Sequence, residues 1–146
     1  MVCLGNICRS PLAEGILKSK IDASKVFVDS AGTGHWHVGE EPDKRSVAVA
    51  KKYGIDILSQ RGRQFSTKDF DDFDIIYVMD NSNKENILAL AENDSHQRKV
   101  KLILNEIFPG ENVDVPDPYF GGKEGFENVF KMLDEACAQI AEQHNQ

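Results

Sequence analysis

The chain has 146 residues, 40% apolar and 28% charged, a balance that suits one folded globule and excludes disorder. Its 24 acidic against 17 basic side chains leave a net charge of −7, which argues against a general nucleic-acid binder. Neither a signal-peptide pattern nor an apolar run near the ~20 residues of a membrane helix is seen, and the odd set Cys3, Cys8 and Cys137 reads as free thiols; a cytoplasmic setting is expected.

In chain order, Met1 and Val2 lead directly into "CLGNICR". The stretch "SPLAEGILKSKI" predicts a helix, with Pro11 in the first turn and Leu12, Ala13, Ile16 and Leu17 on one side. "KVFVDSAGT" predicts a strand over Val26–Val28 that ends in a turn. A second helix is expected between Pro42 and Gly54, the glycine supplying its C′ residue. "FDIIYVMD" has the continuous apolar run of a buried strand, Ile75–Met79. "SNKENILALAEN" reads as a helix and "KVKLILNEI" as another strand. From Glu124 onward, Phe126, Val129, Phe130, Leu133, Cys137 and Ile140 recur at helical spacing, which puts Cys137 in the core. The charges Asp69, Asp71, Asp72 and Asp74 read as a solvated face anchored by Phe70 and Phe73.

Strands separated by helices imply right-handed parallel crossovers. The expected fold is α/β: one domain over residues 1–146, a doubly wound, four-stranded parallel sheet with helices on both faces. Ligands in such sheets sit beyond the carboxyl ends of the strands, where strand order reverses. "CLGNICR" occupies that place, between the first strand and the first helix. Successive N–H groups from Leu4 through Arg9, backed by a helix dipole, form an anion cradle. Gly5 and Asn6 are the residue types that best tolerate left-handed backbone. Arg9 adds a planar fork matched to phosphate oxygens. A thiol at the base of such a cradle is held as the nucleophilic thiolate, so Cys3 reads as a nucleophile under a bound phosphoryl group. A nucleotide-binding P-loop is excluded, since no G-x4-G-K-[ST] occurs.

"VCLGNICRSPLAEG" resembles the signature of the low-molecular-weight protein tyrosine phosphatases. The likeness extends through "DSAGT", "WHVGEEPDKRSV", "RQFSTKDF", "FDIIYVMDNSN" and "VPDPYFGG". The resemblance implies hydrolysis of phosphotyrosine proteins or peptides with Cys3 as nucleophile and Arg9 as phosphate-binding arginine. It implies that Asn6 holds the loop's shape and that Ser10 hydrogen-bonds the Cys3 thiolate. By itself, Asp117 before Pro118 reads as a surface turn. Phosphate-ester cleavage also needs a proton for the leaving oxygen, and the resemblance assigns that general acid to Asp117. Asp114 is the local alternative, more simply a solvated loop charge.

Trp36, the sole tryptophan, either packs on the core or, as the resemblance implies, joins Tyr119 and Phe120 around the substrate ring, with Leu4 and Ile7 as an apolar floor. Cys8 is either an interior loop residue or, by the resemblance, a resolving thiol for oxidised Cys3. His35, His37, His96 and His144 lack metal-ligand spacing, so no metal or other cofactor is expected. Two departures from the family stand out: Gln60 occupies the place of a histidine, and only two residues precede the signature. A thiol-coupled arsenate reductase shares the C-x5-R loop but needs two further redox cysteines, and only Cys137 is available downstream. A non-catalytic phosphate-binding module would keep Arg9 and lose Cys3 or Asp117, and both are present. Oligomeric state is left open.

Overall fold

The computed structural model describes residues 1–119 and 122–145. Four parallel strands form one sheet: β1 (Val2–Cys3), β2 (Ala31–Gly32), β3 (Ile76–Val78) and β4 (Val100–Leu102), in the order β2-β1-β3-β4. Val2 pairs with both Ala31 and Val78, so β1 is central. Among the described residues six helices accompany them: α1 (Arg9–Lys18), α2 (Lys44–Lys52), α3 (Asp69–Asp72), α4 (Asn81–Leu88), α5 (Asp94–Lys99) and α6 (Lys123–His144).

Alternation along the strands divides the core in two. Ile76 and Val78 face Phe65, Phe70, Ile87 and Leu102 on one side. Tyr77 and Met79 face the other, against Leu12 and Ile16 of α1, Val49 of α2 and Phe126, Phe130 and Leu133 of α6. No helix among the described residues is long and apolar enough to cross a membrane.

Three local differences from the sequence expectations have physical causes. Val26–Val28 lies outside the sheet ladder, and β2 begins at Ala31. Its would-be neighbour is β1, which begins at Val2 and so pairs only with residues from Ala31 on. The "KVKLILNEI" strand stops at Leu102 and turns into a 3-10 helix over Ile103–Glu106. The acidic run is a short helix rather than a wholly solvated face. Asp69 is buried, accepts the Ser66 N–H at 2.9 Å and pairs with Arg63 at 3.0 Å, while Phe70 is fully buried. Gly54 closes α2 with φ 79°, as a C′ glycine should.

Strand order reverses at β1. The crevice this opens at the carboxyl ends of β1 and β3 brings together the loop before α1 and the residues that follow Met79.

Candidate active site

Residues Leu4–Cys8 wrap between β1 and the N-terminus of α1. The left-handed residue of this wrap is Asn6, with φ 56°, and not Gly5. A Cβ at Gly5 would come within 3.1 Å of the His37 ring, which would have to give by a few tenths of an ångström. Asn6 is buried and fully used. Its Nδ2 donates to Ser10 Oγ at 2.8 Å and to Ser30 Oγ at 3.0 Å, and its Oδ1 accepts the Arg63 N–H at 3.0 Å. Ser30 Oγ–H in turn donates to Glu14 Oε1 at 2.6 Å, and Lys18 closes the chain on Glu14.

Cys3 Sγ is buried beneath this wrap. The Asn6 amide donates to it at 3.3 Å, and Ser10 Oγ lies 3.0 Å away. Because Ser10 Oγ already accepts from Asn6, its own hydrogen is available to point at the sulfur. Both groups stabilise negative charge on Sγ, and α1 adds its positive end.

Arg9 opens α1 and is only 2% exposed. Its Nη1 donates to Asp80 Oδ2 at 2.7 Å and to the Val115 carbonyl at 2.8 Å. Nη1 of the guanidinium is thereby anchored beyond the carboxyl end of β3, and Nη2 is left on the side of Asp117. Asp80 is itself rigid, since it caps α4 in a reciprocal pair with Asn83. Asp117 lies above, its Oδ2 3.9 Å from Arg9 Nη2 and its Oδ1 accepting the Tyr119 N–H at 3.0 Å. Asp114 is turned away, binding the Asn81 backbone and side chain at 2.8 and 2.7 Å. That leaves Asp117 as the carboxylate of this loop that faces the cleft.

The cleft has a volume of about 180 Å³ and is lined by Leu4, Gly5, Ile7, Cys8, Arg9, Trp36, His37, Asp117 and Tyr119. Trp36 is 64% exposed, stacks on His35 and stands at the rim, so it is not a core residue. Phe120, expected beside Tyr119, lies outside the described residues. Cys8 is buried, and burial, reinforced by the charge of Asp43, pushes its thiol up to about 12. Cys137 is buried too, its S–H aimed at the Ala13 carbonyl, as a core residue should be. Gln60 binds the Pro11 carbonyl at 3.1 Å, at the back of α1.

Four contributors escape the sequence reading. Asp80 had a signal, a D-x-x-N cap directly after a buried strand. Ser30 sits in "DSAGT" without one. Glu14 and His37 come into place only through the tertiary fold. Among the described residues no three His, Cys, Asp or Glu side chains converge as a metal-ligand set.

The family model described as "Low molecular weight phosphotyrosine protein phosphatase" matches residues 1–146. The low molecular weight phosphotyrosine protein phosphatase of Schizosaccharomyces pombe is 42% identical over 137 residues, 90% of this chain and 86% of the yeast protein. A crystal structure of a protein tyrosine phosphatase from Entamoeba histolytica, with Hepes in its active site, gives a TM-score of 0.88 at 36% identity, covering 95% of this chain and 90% of that one. A Drosophila arginine phosphatase gives a TM-score of 0.88 at 36% identity, covering 99% and 96%.

Proposed function

The chain belongs to the low molecular weight phosphotyrosine protein phosphatase family, and on that premise we propose that Cys3 is its nucleophile, Arg9 its phosphate clamp and Asp117 its general acid and base. The enzyme is a hydrolase that cleaves phosphotyrosine monoesters through a cysteinyl-phosphate intermediate. The assignment is carried by one convergence. A sulfur under two donors, a guanidinium anchored along one edge and a cleft-facing carboxylate meet at the sheet's switch point, from positions 3, 9 and 117.

In the first step the Cys3 thiolate attacks phosphorus and the P–O(aryl) bond breaks. Asp117, protonated, gives its proton to the departing phenolic oxygen. The backbone N–H groups of Leu4 to Arg9 and the free edge of Arg9 hold the three equatorial oxygens, where charge is spread in the transition state. In the second step Asp117, now a carboxylate, takes a proton from water attacking the cysteinyl-phosphate. The S–P bond breaks, inorganic phosphate leaves and Ser10 stabilises the released thiolate. Trp36 and Tyr119 flank the phenyl ring over Leu4 and Ile7. A serine side chain is too short to carry its phosphate past these walls, so phosphotyrosine proteins or peptides are the substrates. Residues 1–146 act as a single phosphatase domain in the cytoplasm. Cys8, held protonated, serves as the partner thiol for an oxidised Cys3, and peroxide treatment followed by mass analysis should find a Cys3–Cys8 link.

Kinetics test the assignment. Cys3→Ser should lose activity by at least about a thousandfold. Near-full activity in that variant would sink the mechanism. Phosphoserine and phosphoarginine peptides, run beside phosphotyrosine, should turn over at least about 100-fold more slowly; faster turnover of either would reject the substrate assignment.

A further inference from the structure

Arg45 lies in the first turn of α2, outside the cleft lining, and no step above uses it. Its guanidinium is half-exposed, yet it is engaged by a carboxylate along its edge and by two aromatic rings. Nε and Nη2 donate to the two carboxylate oxygens of Asp43, each at 3.0 Å, and the Arg45 backbone N–H donates to Asp43 Oδ1 at 2.8 Å. Its charged carbon sits 4.6 Å from the ring centre of buried Phe126 and 5.4 Å from that of Tyr119.

Both ends of this arrangement reach the active site. The Asp43 N–H donates to the Ile7 carbonyl of the phosphate loop at 2.8 Å. The Tyr119 N–H donates to Asp117 Oδ1 at 3.0 Å. Upstream of Asp117, the loop is fixed at Val115, whose N–H binds the Met79 carbonyl and whose carbonyl binds Arg9, both at 2.8 Å. Downstream, the Arg45 guanidinium lies over the Tyr119 ring. The 3.9 Å approach of Asp117 to Arg9 is too long for a hydrogen bond to set the carboxylate's height.

We infer that Arg45 is a positioning residue: by lying over the Tyr119 ring from α2 it fixes Asp117 above the phosphate loop for proton transfer. The inference rests on Asp117 being the general acid. A planar cation suits the task, since it pairs with a carboxylate along its edge while lying over aromatic rings with its face. A lysine offers one ammonium for both duties and does each less well.

The test compares phenyl phosphate, whose leaving group needs a proton, with p-nitrophenyl phosphate, whose leaving group scarcely does. The quantity read is kcat/KM, which reports formation of the cysteinyl-phosphate whatever limits later turnover. Arg45→Met should lower kcat/KM for phenyl phosphate about tenfold and leave p-nitrophenyl phosphate within about twofold, because only the acid's contribution is lost. Arg45→Lys should recover at least half of the loss. The effects of Arg45→Met and Tyr119→Ala on the ratio of the two substrates should not multiply in the double variant, as expected of residues acting through one contact. Equal slowing of both substrates by Arg45→Met, no slowing of either, or multiplying effects would overturn the inference. Asp117→Asn distinguishes the two failures. If it slows both substrates alike, the acid assignment falls and the role of Arg45 with it; if it slows phenyl phosphate selectively and Arg45→Met does not, only the inference about Arg45 falls.

Discussion

Asn6 keeps a left-handed backbone at φ 56° although it carries a Cβ, and its side chain supplies the reason. Left-handed backbone costs an L-residue roughly 1–2 kcal/mol, and three buried side-chain hydrogen bonds offset that. Asn6→Ala removes all three and leaves the Arg63 N–H and Ser30 Oγ short of a partner. The expected cost is about 3 kcal/mol, or roughly 10 °C in the melting midpoint for a chain of this size. Asn6→Gly should recover about 1 kcal/mol of it, because glycine relieves the backbone and not the lost bonds. Thermal melts of the two variants read this directly, and an unchanged midpoint in Asn6→Ala would show that the loop is held from elsewhere. Asn6 also illustrates how much of the site the sequence carries. The dipeptide "GN" is by itself enough to predict a tight wrap. Which of the two residues turns left-handed depends on Ser30 and Arg63, in loops distant along the chain.

Among the elements, β1 is the shortest link between sequence and site. Two laddered residues deliver Cys3, and the register reaches back past them. Counting from Val2↔Ala31 and Val2↔Val78, an extended residue placed two before Met1 would face Val28 and Ile75. Those positions flank a groove of about 380 Å³, lined by Val26, Phe27, Val28, Phe73, Asp74 and Ile75. Phe27 is 77% exposed and stacks on Phe73 at 5.9 Å across it. A chain lengthened by four apolar residues before Met1 should fill this groove as strand and gain about 3 kcal/mol, roughly 10 °C. A Gly/Ser extension of equal length is the control, and equal melting points would show that the groove does not take a strand. The same register explains why Val26–Val28, apolar and of strand-forming residue types, stays outside the ladder. Helices α1, α2, α4 and α6 are legible in the sequence because caps and apolar spacing are local signals. The 3-10 turn at Ile103 and helices α3 and α5 are not, since nothing local distinguishes them from a longer strand or a charged loop. The contact of Arg9 with the Val115 carbonyl spans 106 positions and exists only once the sheet has formed.

For the molecule as a whole, stability should follow pH through groups buried at both ends of the chain. The Met1 ammonium is buried, and desolvation lowers its pKa below the ordinary 8.0, although Glu14 and Asp29 oppose this. Over the interval between the two values the unfolded chain holds the proton and the folded chain does not. Stability therefore rises with pH across that interval, reaching its full value near 8. Cys8 and Cys137 act in the opposite sense. Burial raises both thiols from 9.0 to about 12, so they favour the fold below 9 and lose that contribution as pH climbs toward 12. The denaturant midpoint should accordingly peak between about 8 and 9, and the chain with four added residues should lose the rise on the neutral side, because its terminal ammonium is moved away from the buried Met1 position. A midpoint that falls steadily from pH 6 to 8 would contradict this reading.

The single tryptophan lies at the mouth of the catalytic cleft and is mostly solvated, so the protein carries its own optical reporter at the place where ligands arrive. Ultraviolet emission from the empty enzyme should be red-shifted and readily quenched by acrylamide. An aryl phosphonate seated between Trp36 and Tyr119 should shift that emission to the blue and shield it, because the indole then borders an apolar ring instead of water. Occupancy becomes measurable in the Cys3→Ser enzyme, with no turnover and no attached dye.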